Sequence, residues 1–269
     1  MKKKISFLTG TRADYGKIKS LIKEVYKSKK FEVYIVATGM HLSREHGYTY
    51  KEIVKDFPKI KIYEFNNIIK NKESMDLILS NTIRGINKIY EKIRPDLIVI
   101  HGDRVEALAT SIVGNLNNIL VSHVEGGEIS GTVDESMRHA TSKMSHIHFV
   151  SNSHAKKILC QMGELKKNIY VIGSPEVDIM IGKKLPNILK VKKKYKINLS
   201  FYSIILLHPD VNENPNTTLR NIKTLIYAAK KSKEKFVLLY PNNDKFSEII
   251  MKEVIKLKQH KQFRVIASM

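Results

Sequence analysis

The sequence predicts an α/β protein with parallel sheets, laid out as two successive βα series, on three observations. Short β-branched runs alternate with helical stretches along the whole chain. Strand candidates such as Leu97-Ile98-Val99-Ile100 are continuously apolar, as a strand buried on both faces requires. Gly173-Ser174-Pro175 interrupts the alternation, and glycine beside proline ends one element and redirects the chain.

The first series opens with a strand at Ile5–Thr9, a helix over 14–28 and a strand at Glu32–Ala37. A loop rich in Gly and His, a short helix over 49–56, a strand at Ile60–Phe65 and a long helix over 73–93 follow. Arg94-Pro95 stops that helix, because the residue before a proline is pushed out of the α region. Next come the strand at 97–100, a helix over 104–117, a strand at Ile119–His123, a loop with Gly126-Gly127, a helix over 133–144, and strands at His146–Val150 and Tyr170–Ile172. The expected N-terminal domain is 1–173. In the second, 174–269, strands at Ser203–Leu207, Phe236–Tyr240 and Phe263–Ile266 alternate with helices over 217–232 and 244–258. A short series ending on a strand predicts a second sheet that is only partly covered.

Of 269 residues, 42% are hydrophobic and 27% charged, enough for a sizeable core and incompatible with disordered, collagen-like or low-complexity chains. The one cysteine, Cys160, forms no internal disulfide, fits a reducing compartment and reads as a small buried hydrophobe. The apolar run after Met1-Lys2-Lys3-Lys4 breaks at Thr9-Gly10, too soon for a signal peptide, and no stretch approaches the roughly 18 apolar residues of a membrane span. A cytoplasmic protein with no membrane partner is expected. The formal net charge of +21 attracts polyanions and small anionic substrates. Only eight of the 47 basic residues are arginine, the side chain suited to bidentate recognition, so no specific nucleic-acid partner is expected.

Polar residues gather at the strand ends. Gly10-Thr11-Arg12-Ala13-Asp14-Tyr15-Gly16 is a glycine turn opening a helix, where free N–H groups favour anions. It lacks the G-x-G-x-x-G spacing; Arg12 either reaches a phosphate or lies exposed beside Asp14. At His101-Gly102-Asp103-Arg104, Asp103 either caps the next helix and pairs with Arg104 or serves a ligand, since buried ionisable groups are costly unless paired or used. His123-Val124-Glu125-Gly126-Gly127-Glu128 ends another strand, Asp134-Glu135 begins the next helix, and Arg138-His139 stand one turn on. Two or three carboxylates facing cations suit proton abstraction and return at a sugar carbon, and arginines suit a diphosphate leaving group. The glycines are expected to admit a ligand closely. His123, His139, His146 and His148 lack a zinc-type framework and read as core or supporting residues. In the second series His208-Pro209 and Tyr240-Pro241-Asn242-Asn243-Asp244 follow strands, which implies a cleft between domains or turn chemistry alone.

In this order, Gly10–Gly16, H-G-D-R at 101–104, H-x-E-G-G-E at 123–128, Gly131-Thr132-Val133-Asp134-Glu135, Arg138-His139 and His208-Pro209 resemble the hydrolysing UDP-N-acetylglucosamine 2-epimerases, the bacterial sialic- and legionaminic-acid enzymes above all. The resemblance implies a GT-B-like pair of Rossmann-like domains, the second incomplete, with a UDP-sugar between them. It implies elimination of UDP to a 2-acetamidoglucal and hydration to free N-acetylmannosamine or its 2,4-diacetamido relative, with no cofactor and no metal. By position, Asp103, Glu125 and Asp134 match the family's catalytic carboxylates and His208 its histidine near the phosphates. Arg12, Arg104 and Asn242 match positions that hold UDP, and Glu128 matches a supporting carboxylate.

Gly16 stands where the family often has serine, and Asp210-Val211-Asn212 replace its valine and threonines after His208-Pro209. The family's C-terminal G-N-S-S-x-G-x-R-E motif is missing, which implies a truncated chain of little activity alone, working as a homo-oligomer or with a complementing C-terminal segment. The resemblance also places an apolar edge at strand 203–207. The competing expectations are a non-hydrolysing epimerase or GT-B glycosyltransferase, and a noncatalytic module that binds nucleotide sugars or polyanions.

Overall fold

The structure, a computed structural model, describes residues 2–68, 74–182, 185–210, 212–242 and 244–267. Residue 73, where a helix was expected to start, and the loop residues Val211 and Asn243 lie outside the described residues. Contacts divide the chain into two units, residues 1–44 with 48–183 and residues 184–269 with 45–47.

In the first unit β1 (Lys3–Thr9), α1 (Arg12–Lys27), β2 (Phe31–Ala37), α2 (Tyr50–Asp56), β3 (Lys61–Glu64), α3 (Met75–Ile93) and β4 (Leu97–His101) follow in order. Then come α4 (Val105–Leu116), β5 (Leu120–Val124), α5 (Val133–Lys143), β6 (Ile147–Val150), α6 (Ser153–Gln161), β7 (Ile169–Val171) and α7 (Pro175–Met180). The strands form one parallel sheet in the order β3-β2-β1-β4-β5-β6-β7, with Ile5 of β1 in register with Val33 on one side and Leu97 on the other.

Strand periodicity sorts the core into two layers. Ile5, Phe7 and Ile35 pack with Ile18 and Ile22 of α1 and Ile53 of α2. Leu8, Val36, Ile98 and Ile100 point the other way, onto Ile86, Ile89 and Ile93 of α3 and Val113 of α4. Helices therefore cover both faces, and the unit is doubly wound.

The helices α6 and α7 were not expected from sequence. The first is short and starts at Asn152, whose side chain accepts from the Ala155 N–H at 2.9 Å. The second starts inside the segment read as a linker: Pro175 occupies its first turn, where a missing N–H costs nothing. The Ser20 hydroxyl of α1 donates to the Pro175 carbonyl at 3.2 Å. With α7 against α1, the division between units falls after residue 183 and not at 173/174.

The second unit contains α8 (Ile188–Tyr195), also unexpected, then β8 (Ser203–Ile205), α9 (Pro215–Lys231), β9 (Phe236–Leu239), α10 (Ser247–Ile255) and β10 (Phe263–Ile266). Its parallel sheet runs β10-β9-β8. Ile222, Leu238, Ile250, Val254 and Phe263 form the core between sheet and helices. The edge strand β8 is shorter than expected and leaves Ile204 exposed, the apolar edge foreseen at 203–207.

Ile35 of β2 is fully buried, whereas Leu116 at the end of α4 is 75% exposed. Ile35→Ala is expected to cost about 2–5 kcal/mol in urea unfolding. Leu116→Ala is expected to fall within about 0.5 kcal/mol of the parent.

Candidate functional site

In the first sheet, β1 and β4 are neighbours from which the chain winds off in opposite directions, and in such sheets ligands bind beyond the carboxyl ends at this switch point. Gly10 follows β1, His101 ends β4, and Glu125 follows β5. Glu125 has a left-handed backbone, φ 60°, uncommon outside glycine, and its N–H donates to the Phe149 carbonyl at 2.8 Å. Its buried carboxylate accepts from Lys17 Nζ at 2.9 Å, contacts His101 Nε2 at 2.9 Å and accepts from the Ser174 hydroxyl. Burial pushes the Glu125 carboxyl up, but His101, Ser174 and Lys17 outweigh it and hold the group well below the carboxylate range. Lys17 moves the opposite way: burial lowers its pKa, and the bond to Glu125 more than restores it. Both shifts describe a charged pair.

Asp103 pairs with Arg138 of α5 and not with Arg104, and Arg138 also donates to the Glu128 carbonyl at 2.7 Å. Arg104 Nε lies 3.2 Å from Glu106 Oε2, itself 1% exposed and bonded to Asn67. Asp134 and Glu135 occupy the first turn of α5, and Glu135 accepts from the N–H groups of Ser130 and Gly131, both at 2.6 Å. The Ser151 hydroxyl donates to Glu128.

The turn after β1 differs from its expected role. Asp14 accepts from the N–H groups of Gly10 and Thr11, each at 2.9 Å, in a capping box. An internal carboxylate thus occupies the donors read as an anion site. Arg12 Nε lies 3.1 Å from Glu52 Oε2.

His123 supports the site from behind. Its Nε2–H donates to the Gly102 carbonyl at 2.7 Å and its Nδ1 accepts from the Ser142 hydroxyl at 3.0 Å, which defines the neutral tautomer. Burial pushes its pKa down to about 3. The glycines of the following loop serve packing: a Cβ on Gly126 would lie 2.7 Å from Ser142 Oγ, and one on Gly127, where φ is 82°, 2.4 Å from the Ala155 carbonyl oxygen. In the second unit the Asn242 N–H donates to His208 Nδ1 at 3.2 Å, leaving Nε2 of the neutral ring as a donor. Asn242 also donates to Asp244. No group of three or more His, Cys, Asp or Glu among the described residues is placed to hold a metal ion.

The first unit therefore joins Asp103, Glu125 and Glu128 to fixed partners, and the second joins His208 to Asn242. Sequence reading missed Lys17 and Ser174. The signal for Lys17 was its place three residues after Asp14, on the same face of α1. Ser174 lay hidden in the presumed linker.

The pKa shifts order the acid response. His123, His148 and His41 are all pushed down by burial, so the unfolded chain binds more protons below pH 6.5 and stability falls as pH drops from there. Glu125, also lowered, adds its loss only below about pH 4.5. Replacing His123 with Gln is expected to flatten urea stability between pH 6.5 and 4.5 by up to about 1.4 kcal/mol per pH unit. Gly127→Ala is expected to cost about 2 kcal/mol or more in the same measurement, from strain and overpacking together.

The family description UDP-N-acetylglucosamine 2-epimerase matches residues 23–269. The chain is 42% identical, over 96% of its length and 68% of the relative's, to the UDP-N-acetylglucosamine 2-epimerase of Neisseria meningitidis serogroup B. It is 32% identical to the hydrolysing UDP-N,N'-diacetylbacillosamine 2-epimerase of Legionella pneumophila, over 99% of its length and 71% of the relative's. The crystal structure of a Neisseria meningitidis UDP-GlcNAc 2-epimerase bound to UDP-GlcNAc matches with a TM-score of 0.77 at 23% identity, covering 98% of this chain and 72% of that one. That likeness in fold is to the GT-B-like α/β class expected from the sequence. The chain belongs to the UDP-N-acetylglucosamine 2-epimerase family.

Proposed function

We propose that this chain carries the catalytic carboxylates of a hydrolysing epimerase, one that converts UDP-N-acetylglucosamine or a UDP-2,4-diacetamido sugar to UDP and the free manno sugar for sialic- or legionaminic-acid synthesis. The observation that carries this reading is the joining, at one sheet edge, of ionised Glu125 to Lys17 and of Asp103 to Arg138. Kinship with the Legionella enzyme, described as hydrolysing, supports the choice over simple epimerisation.

In the reaction a base removes the proton on sugar C2, its electron pair forms the C1–C2 double bond, and the C1–O bond to UDP breaks. Water then adds hydroxyl to C1 and a proton to C2 from the opposite face. Glu125 binds protons too weakly to be the resting carrier; its fixed negative charge suits positive charge at C1 as UDP departs. Asp103 and Asp134 are the proton-transfer candidates. Arg12, Arg104, His208 and Asn242 are assigned to the UDP moiety, and Glu128 to support of the sugar. This scheme employs no cofactor, and a cytoplasmic location suits a nucleotide-sugar substrate.

Proton NMR of UDP-N-acetylglucosamine in deuterated buffer, with the chain alone and with a restored C-terminal extension, is expected to show UDP and free N-acetylmannosamine carrying deuterium at C2 in the extended form and little turnover by the chain alone. Asp103→Asn is expected to lower turnover by about 10²-fold or more. UDP-N-acetylmannosamine as the product would assign the non-hydrolysing reaction instead, and an unchanged rate in Asp103→Asn would remove that residue from the chemistry.

A further inference from the structure

A concentration of positive charge on the first unit lies at the edge of its sheet opposite the candidate site. The amino ends of β1, β2, β3 and β4, with the carboxyl ends of α1 and α3, surround an open groove of about 1070 Å³. Of its fifteen lining residues eight are Lys or Arg and two are Asp or Glu, against 47 basic residues in 269 for the chain. The groove is thus about three times as basic as the average, which an evenly spread lysine surface does not explain.

The two carboxylates are already engaged. Asp96 takes Lys3 Nζ at 2.7 Å and the Lys4 N–H at 2.8 Å, and Glu32 accepts from the Tyr34 hydroxyl. Lys2, Lys29, Lys59 and Arg94 form no ion pair among the described residues. Helix dipoles account for part of the charge, since Lys27 stands in the last turn of α1 and Arg94 caps α3. Lys59 follows the C-cap of α2 by two residues, but Lys2 and Lys61 stand at no helix end, and what they share is the groove.

We propose that this groove is a second anion site, separate from the epimerase centre, for a compact ligand carrying several linked phosphates. Its volume is at the upper end of the small-molecule range, and lysines act as point charges on phosphate without requiring a fixed orientation. Half-buried Phe31 and partly exposed Tyr26 supply apolar surface beside the cations. A concave site of this size favours a compact ligand over duplex nucleic acid, which is read by elements projecting into its groove. The seven residues of β1 span about 20 Å, so such a ligand does not reach the carboxylates at the other edge.

The test is calorimetric titration of the 269-residue chain with inorganic tripolyphosphate and, separately, with ATP, at physiological salt. Saturable binding at one site is expected. The triple variant Lys29→Glu, Lys59→Glu, Lys61→Glu should weaken it about tenfold or more. A control with the same net charge, Lys190→Glu, Lys223→Glu, Lys252→Glu, should change it little, and thermal melts establish that both remain folded. Equal affinity for the two probes would mean that the phosphate chain is the recognised group; tighter ATP binding would add the nucleoside. Equal loss in both triple variants, no saturable binding, or tighter binding of a single-stranded oligonucleotide than of either probe would overturn the proposal.

Discussion

A negative charge buried at the end of β5 is the constraint around which the candidate site is built. An ionised carboxylate with 9% side-chain exposure is stable only where its desolvation is offset by paired, hydrogen-bonded charge. Glu125 draws that compensation from the end of β4 through His101, from the second turn of α1 through Lys17, and from the residue before α7 through Ser174. Segments far apart in sequence must therefore meet at one pair of oxygens. The left-handed backbone at Glu125 is tolerated because the same contacts determine where the side chain goes. Loss of one donor leaves the charge underpaired, and loss of Ser174 also removes the bond at the start of α7, which meets α1 through the Ser20 hydroxyl on the Pro175 carbonyl and through Lys17 Nζ, 3.9 Å from Glu176 Oε1.

Behind this charge lies a layer of polar side chains that a purely apolar core would lack. His123 bridges Gly102 and Ser142, His148 meets Glu164 at 3.1 Å, and Asn67 joins Thr82 to Glu106. His41 sits between Thr9 at 2.8 Å and Thr49 at 2.8 Å. Buried groups of this kind stay in place when their hydrogen bonds are satisfied, and they then fix the loops they touch. His123 holds the carbonyl of Gly102, immediately before Asp103, so a histidine with no access to ligand sets the path of a residue assigned to chemistry.

The doubly wound sheet was legible because strands buried on both faces leave continuous apolar runs, as at Leu97–Ile100, and because the long α3 repeats its apolar residues at helical spacing. The short α6, α7 and α8 were not. At α7 the Gly-Ser-Pro signal has two meanings, a turn or a helix whose first position is proline, and only packing on α1 decides between them. In the site, the strand-end carboxylates stood out by type and place. Their partners did not: local reasoning offered Arg104 for Asp103, whereas α5 delivers Arg138 from 35 residues away. Asp14 was visible too, but sequence does not tell whether a carboxylate near a helix start faces solvent or closes onto the backbone N–H groups.

The two edges of the first sheet distribute charge on different principles. At the carboxyl edge cations are matched to carboxylates at hydrogen-bond distance, so removing one partner has a large local effect that salt barely screens. At the amino edge the exposed lysines outnumber their partners, each interaction is weak, and the field they sum to is screened within about 8 Å at physiological salt. An anionic substrate at the carboxyl edge, about 20 Å away along β1, therefore feels little of that field. Discrimination depends on groups already fixed before it arrives, and in this unit those are the ones anchored to Glu125 and Arg138.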